Sequence, residues 1–255
     1  MYIEEHGSAD STPVMFLHGA MVAGWMWHGQ VEALSMYHCL LPDFPGMGQS
    51  ANEKWISFED TADRIADEIR SRCADSSTHL VGLSLGGIIG LNVAVRHPET
   101  VRSLIVSGVP HGSVPYILRM FSRVMAGLYS RSWGAGLIAE MLGIPQDESR
   151  EAFLQTAQQT NPEALKAATE EVNRAPLPSG LERVMVSTLA VVGAKDTKPA
   201  QVAVPFLCKV IPNAFGYSVP DVGHQWNAEK PELFSEMVRM WVDSRSVIDQ
   251  LARIC

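Results

Sequence analysis

The sequence has no paired-cysteine motif, no surplus of positive charge and no uninterrupted apolar run of membrane-spanning length, and each lack removes a class of function. Its four cysteines, Cys39, Cys73, Cys208 and Cys255, form no C-x-x-C pair and stand at no spacing to histidine that would build a zinc site. No metal is expected, and the thiols read as reduced structural groups. Lys and Arg total 20 against 28 Asp and Glu, a formal net charge of -8. Such a chain has no cationic footprint for a nucleic-acid backbone, and its acidity opposes docking on anionic membranes. The most apolar long stretch, residues 114–144, is interrupted by Arg119, Arg123, Arg131 and Glu140, which are costly in a bilayer core. The opening residues, Met1 to His6, carry neither the positive nor the apolar region of a secretory signal, so the cytoplasm is the expected location.

What the chain does have is the content of an ordinary globular protein: 255 residues, 46% of them hydrophobic, with 20 Gly and 15 Pro. A chain of this length buries roughly 70–75% of its unfolded surface, which needs no disulfide or metal to support it. Apolar runs at 13–19, 37–43, 78–83, 101–108, 185–192 and 214–219 predict buried strands, each continuous rather than alternating. Between them lie helical patterns. At 57–73, Ser57 and Asp60 make a capping box ahead of Ala62, Ile65, Ala66, Ile69 and Cys73 at helical spacing. Further helices are predicted at 85–97, near 200–210 and from about 228. Strands alternating with helices give an α/β fold around a mostly parallel sheet covered on both faces. Residues 111–180 break the alternation with helical patterns at 115–128, 132–142, 147–159 and 162–174, so the domain reading is a core of 1–110 and 181–255 with an all-helical insertion at 111–180.

The chemistry concentrates at Gly82-Leu83-Ser84-Leu85-Gly86, a G-x-S-x-G pattern between a predicted strand and a predicted helix. So tight a turn strains the serine backbone and leaves no room for side chains at the flanking positions. A serine hydroxyl needs a base to take its proton and an acid to orient that base. In chain order these are Asp196, in the loop after the strand ending at Val192, and His224, in the loop after the next strand. All three project from the carboxyl edge of a parallel sheet, where open α/β folds bind ligands. The backbone N–H groups of Leu85 and Ala20 are the expected oxyanion donors, and His18, beside Ala20, reads as a hydrogen-bonding scaffold for that loop. Asp221 is a rival acid by proximity only, and His111 a candidate pocket wall.

With these motifs in place the sequence resembles the α/β-hydrolase family over nearly the whole chain outside 111–180. The resemblance rests on Leu17-His18-Gly19-Ala20, on Asp43-Phe44-Pro45-Gly46-Met47-Gly48-Gln49-Ser50, on the serine motif, on Val192-Gly193-Ala194-Lys195-Asp196, and on Gly223-His224 followed by Glu229-Lys230-Pro231-Glu232. It implies Ser84 as nucleophile, Asp196 as orienting acid, His224 as base, Ala20 and Leu85 as oxyanion donors, residues 111–180 as a helical cap over the pocket, and no cofactor. Met47 stands where the turn often carries histidine. The short N-terminus leaves room for about one strand before residue 13, an edge that a second copy could cover in a homodimer.

Within such a family the serine argues against dehalogenases and epoxide hydrolases, which use aspartate at this turn, and Gln225 after His224 argues against hydroxynitrile lyases, which place lysine there. The remaining reading is a serine esterase acting on a small to medium, largely apolar carboxylic ester. The alternatives are a lactonase or carbon–carbon bond hydrolase with the same triad, or a slow-turnover ligand receptor. Trp25, Met120, Phe121, Met125 and Trp226 are the candidate pocket residues, and Arg119 and Arg123 would suit an anionic substrate.

Overall fold

Six short apolar strands lie parallel at the centre of the molecule, with one antiparallel strand at each edge. The computed structural model describes residues 1–112, 116–141, 144, 146–174 and 177–255; the side chains of Tyr116, Leu118 and Phe121 lie outside the described residues. The strands are β1 (Ile3–His6), β2 (Pro13–Leu17), β3 (His38–Pro42), β4 (Thr78–Leu83), β5 (Val101–Ser107), β6 (Thr188–Gly193), β7 (Ala214–Val219) and β8 (Ala252–Arg253). Their order across the sheet is β1-β3-β2-β4-β5-β6-β7-β8, with β1 and β8 antiparallel to their neighbours. The continuous apolar runs have their explanation here, since every residue of β2, β3, β4 and β6 is buried. A strand covered on both faces has no position for an alternating polar residue.

Successive side chains of each strand feed opposite layers. Met15 and Leu17 join one core cluster, with Ala62, Ile65 and Ile69 of α2 (Phe58–Arg72), Ile88 and Leu91 of α3 (Leu85–Arg96), and Leu207 of α8 (Lys198–Val210). Val14 and Phe16 join the other, with Val31 of α1 (His28–Ala33), and Phe234, Val238 and Trp241 of α10 (Pro231–Ser244), which follows the short α9 (Trp226–Glu229). Ser57 caps α2, with Asp60 N–H donating to its Oγ at 3.2 Å, while the Asp60 carboxylate accepts from Arg64 Nε at 2.8 Å, so only the N-cap half of the expected capping box is seen.

Among the described residues between β5 and β6 lie four α-helices, α4 (Tyr116–Tyr129), α5 (Ser132–Met141), α6 (Glu148–Gln159) and α7 (Pro162–Val172). Proline at the first helical position and Asn161, whose side chain accepts from Glu163 and Ala164 N–H, start α7. This segment rests on loops at the carboxyl edge of the sheet. Asn161 N–H donates to Gly46 O at 2.8 Å, and Glu171 accepts from Trp55 Nε1 at 3.1 Å and Phe58 N–H at 2.9 Å.

Two elements differ from the sequence reading, and one chemical expectation is corrected. Six-residue α1 is too short to show a helical period, and two-residue β8 is too short to show any. The correction concerns the cysteines: Cys208 of α8 and Cys255 beside β8 are joined by a disulfide, leaving Cys39 and Cys73 as buried free thiols. The pair was invisible in spacing because 47 residues separate its members. Gly216 of β7 makes room for it, since a Cβ there would sit 2.5 Å from Cys255 Sγ and 2.7 Å from Cys208 Sγ. The bond overturns the reading of all four thiols as reduced structural groups. Among the described residues no helix is long and apolar enough to cross a membrane.

Thiol titration of the denatured, unreduced protein is expected to give two reactive groups, rising to four after reduction. Closing a loop of this length is worth on the order of 4 kcal/mol in the chain-entropy account, so reduction is expected to lower the urea midpoint clearly. Four thiols before reduction would contradict the bond.

Candidate active site

At the end of β4 the chain turns so sharply into α3 that Ser84 takes φ 55° and ψ −114°, a left-handed conformation that costs a non-glycine residue of order 1–3 kcal/mol. The flanking glycines allow the approach that forces it. A Cβ on Gly86 would lie 2.0 Å from Leu17 O, and one on Gly82 would lie 2.4 Å from Gly86 O, so neither position can hold a larger residue without moving backbone. Ser84 N–H donates to Ser107 O at 2.8 Å, which ties the turn to the end of the neighbouring β5. The serine side chain stands half-buried at the mouth of the sheet.

The residue after Ser107 brings the other two groups to the same place. Gly108, at φ +61°, passes so close to the pair that a Cβ would fall 2.9 Å from His224 Nδ1 and 3.1 Å from Asp196 Oδ2. His224 Nδ1 donates to Asp196 at 2.9 Å (Oδ2) and 3.0 Å (Oδ1). The carboxylate side chain is 1% exposed, and its Oδ1 also accepts from Thr197 N–H at 2.6 Å. With Nδ1 so engaged, Nε2 is the nitrogen free to act as base. Glu229 holds the histidine loop by accepting from Gly223 N–H at 2.9 and 3.1 Å. Asp221 points elsewhere, pairing with Lys195 Nζ at 4.0 Å. Ser84, Asp196 and His224 are thus gathered around the end of β5. Among the described residues no hydrogen bond joins Ser84 Oγ to His224, a contact that often tightens only with substrate bound.

Ala20 follows β2 in a loop built around two buried polar side chains. Phe44 N–H donates to His18 Nε2 at 3.0 Å, so that nitrogen is an acceptor and the proton sits on Nδ1, which donates to Gly19 O at 2.7 Å. Burial lowers the His18 pKa, a pull that the nearby Asp43 charge only partly offsets. Asp43 itself accepts from Gly24 N–H and Gln49 N–H, both at 2.7 Å. Leu85 occupies the first turn of α3, where a backbone N–H has no intrahelical partner. One group that sequence reasoning missed lies in the helical segment: Tyr129 of α4, fully buried, donates its hydroxyl to Met21 O at 2.6 Å. Met21 follows Ala20 and has φ 65°. Trp25 Nε1 adds a second tie, donating to Thr156 Oγ1 of α6 at 2.8 Å. Local sequence carries no signal for a bond spanning 108 residues.

The candidate pocket residues scatter. Trp25 is half-buried beside the Ala20 loop. Met125 packs in the core cluster at 9% exposure. Met120 lies with Arg119, Arg123, Glu170, Asn173 and Arg174 around a small cleft of about 120 Å³ between α4 and α7, where Arg123 is paired with Glu170 at 2.9 Å. The Phe121 side chain lies outside the described residues. For Trp226 the structure gives a correction: α9 turns the ring inward, where it is fully buried against Phe234 and donates Nε1–H to Ser107 Oγ at 2.8 Å. It supports the site from beneath. His111 stacks on Phe206 at a ring separation of 3.8 Å.

A family model described as "Alpha/beta hydrolase family" matches residues 14–237, taking in the serine turn, Asp196 and His224 together. The chain belongs to the alpha/beta hydrolase family. As a member of that family it is 28% identical to a pimeloyl-[acyl-carrier protein] methyl ester esterase of Aeromonas hydrophila, over 90% of this chain and 94% of the relative. It is 26% identical to a 2-hydroxy-6-oxo-6-(2'-aminophenyl)hexa-2,4-dienoic acid hydrolase of Metapseudomonas resinovorans, over 94% and 87%. Among solved structures, a thermophilic esterase of Thermogutta terrifontis superposes with a TM-score of 0.75 at 24% identity, over 94% of this chain and 92% of that one. Hydrolase chemistry is common to these alpha/beta hydrolase relatives.

The buried imidazoles make stability depend on pH. His18 titrates below its ordinary value, and burial, helped by Arg245 and Arg102, brings His79 of β4 down to about 4. A histidine with a depressed folded pKa binds its proton more readily when unfolded, so its contribution is whole above about pH 6.5 and is lost as pH falls towards the folded value. The urea midpoint is expected to drop between pH 6.5 and 4, with His79 accounting for roughly 3 kcal/mol of the loss. A flat profile over that range, or no change of slope in His79→Gln, would contradict this.

Proposed function

We propose that this protein is a serine hydrolase that cleaves a carboxylic ester through an acyl-enzyme. The observation that carries the reading is the meeting at β5: Ser107 O holds the strained serine turn, and Gly108, next in sequence, abuts the His224–Asp196 pair. In this reading His224 Nε2 takes the Ser84 proton as Oγ attacks the ester carbonyl. The Ala20 and Leu85 N–H groups hold the oxyanion, and collapse of the tetrahedral intermediate expels the alcohol, which takes its proton from His224. Water, activated by the same imidazole, then frees the acid and restores the serine. Asp196 keeps the proton on Nδ1 and stabilises the imidazolium. The chemistry calls for no cofactor.

Residues 111–180 act as the cap in this proposal, and Trp25, tied to α6, forms one wall of an acyl site for a small to medium, largely apolar group. The Aeromonas hydrophila relative, an esterase by name, supports the ester reading. The Metapseudomonas resinovorans relative, named as a hydrolase of a dienoic acid, supports carbon–carbon cleavage by the same triad as the second reading.

The deciding experiment is hydrolysis of p-nitrophenyl esters from acetate to dodecanoate by the wild type and Ser84→Ala side by side. Activity is expected to peak at one chain length and to fall roughly 10³-fold or more in the variant. An inactive wild type, or a fully active variant, would overturn the esterase reading and send the search to lactones, vinylogous diketones and ligand-binding screens. Tyr129→Phe, which frees Met21 O beside the Ala20 donor, is expected to lower kcat about tenfold with KM little changed. An unchanged kcat would mean that the hydroxyl serves folding alone.

A further inference from the structure

Glu4 and His6 are two residues apart on β1, so their side chains leave the same face of the edge strand. His28, the first residue of α1, faces them. Glu4 Oε1 lies 2.7 Å from His6 Nε2, Glu4 Oε2 lies 3.2 Å from His28 Nε2, and the two imidazole centroids are 6.0 Å apart. One ligand atom from each of the three falls within 4.8 Å of the others. A dication bound by nitrogen and oxygen at about 2.0–2.2 Å sets its ligands roughly 3–3.5 Å apart, so closing the set takes small rotations of side chains already at the surface. The side chains are 38% (His6), 31% (Glu4) and 54% (His28) exposed, leaving open directions for water as further ligands.

The backbones beneath are fixed. All four residues of β1 are in register with β3, from Ile3 opposite Pro42 to His6 opposite Cys39. The α1 helix is anchored by Gln30, whose buried amide donates to Asn227 O at 2.9 Å. The neighbouring residue Glu5 points to the other face, to His38 at 2.9 Å and to Arg72, and does not compete for the imidazoles.

We propose that Glu4, His6 and His28 form a surface site for a first-row transition-metal dication, Zn²⁺ foremost, that clamps edge strand β1 to α1. Two imidazoles and one carboxylate are a donor set for zinc, nickel or copper and a poor one for magnesium or calcium, which take oxygen. The site stands three strands from β4 in the sheet order, so the ion has no place in ester chemistry. Its effect is on the edge strand, because a ligand bound only by the folded state stabilises that state.

The test uses untagged protein, since a histidine tag would bind the same ions, stripped with chelator and titrated calorimetrically with zinc chloride. One equivalent of Zn²⁺ is expected to bind and to raise Tm, with magnesium chloride giving neither effect. His6→Ala, at a half-buried position, and His28→Ala, at an exposed one, are expected to keep the metal-free Tm and to weaken binding at least tenfold. Hydrolytic activity is expected to be the same with and without zinc. Absence of stoichiometric binding to the wild type, or binding of equal strength in both variants, would overturn the proposal.

Discussion

Everything at the carboxyl edge of the sheet depends on how closely the start of α3 passes β2. With a gap that would leave a Gly86 Cβ only 2.0 Å from Leu17 O, the helix meets the strand backbone to backbone. That contact forces Ser84 into its strained conformation and sends its amide to Ser107 O. It also sets Leu85, at the first turn of α3, beside the loop that continues from Leu17 to Ala20. The placement of Ser84 and of the two expected oxyanion donors thus follows from one steric fact, the lack of any side chain at Gly86.

Around that contact the loops are held by buried polar groups whose partners are backbone. His18 accepts from one loop and donates to another, and Asp43 takes two N–H groups that would otherwise be unpaired. A buried polar group is costly unless its bonds are made, so each of these side chains fixes one backbone arrangement at a high penalty for leaving it. The helical segment joins the same network through Tyr129 and Trp25. The His224–Asp196 pair is built the same way: Thr197 N–H, His224 and the wall at Gly108 leave Asp196 a single position.

Both edges of the sheet are managed, though by different chemistry. The β1 edge carries Glu4, Glu5 and His6, charged or polar residues that discourage pairing with another strand. At the far edge β8 is only two residues long, and its end is fastened to α8 by the Cys208–Cys255 bond. The terminal strands are thereby held to the six parallel ones, of which β2, β3, β4 and β6 are buried throughout.

What could be read in the sequence is what a few neighbouring residues decide among themselves. Continuous apolar runs marked the strands, Ser57 with Asp60 marked the start of α2, and glycines around Ser84 marked a turn that sterics permit to no other residue. The order Ser84, Asp196, His224 was legible because each follows a strand, and strand ends in a parallel sheet share an edge. The tertiary structure alone decided the rest: that Ser107 and Gly108 are the meeting point, that Trp226 turns into the core, that Tyr129 reaches Met21, that Cys208 and Cys255 pair, and that Glu4 and His6 face His28. Those outcomes depend on strand order and on helices crossing at close range, so the partners lie from 22 to 119 residues apart, and no period or local pattern connects them.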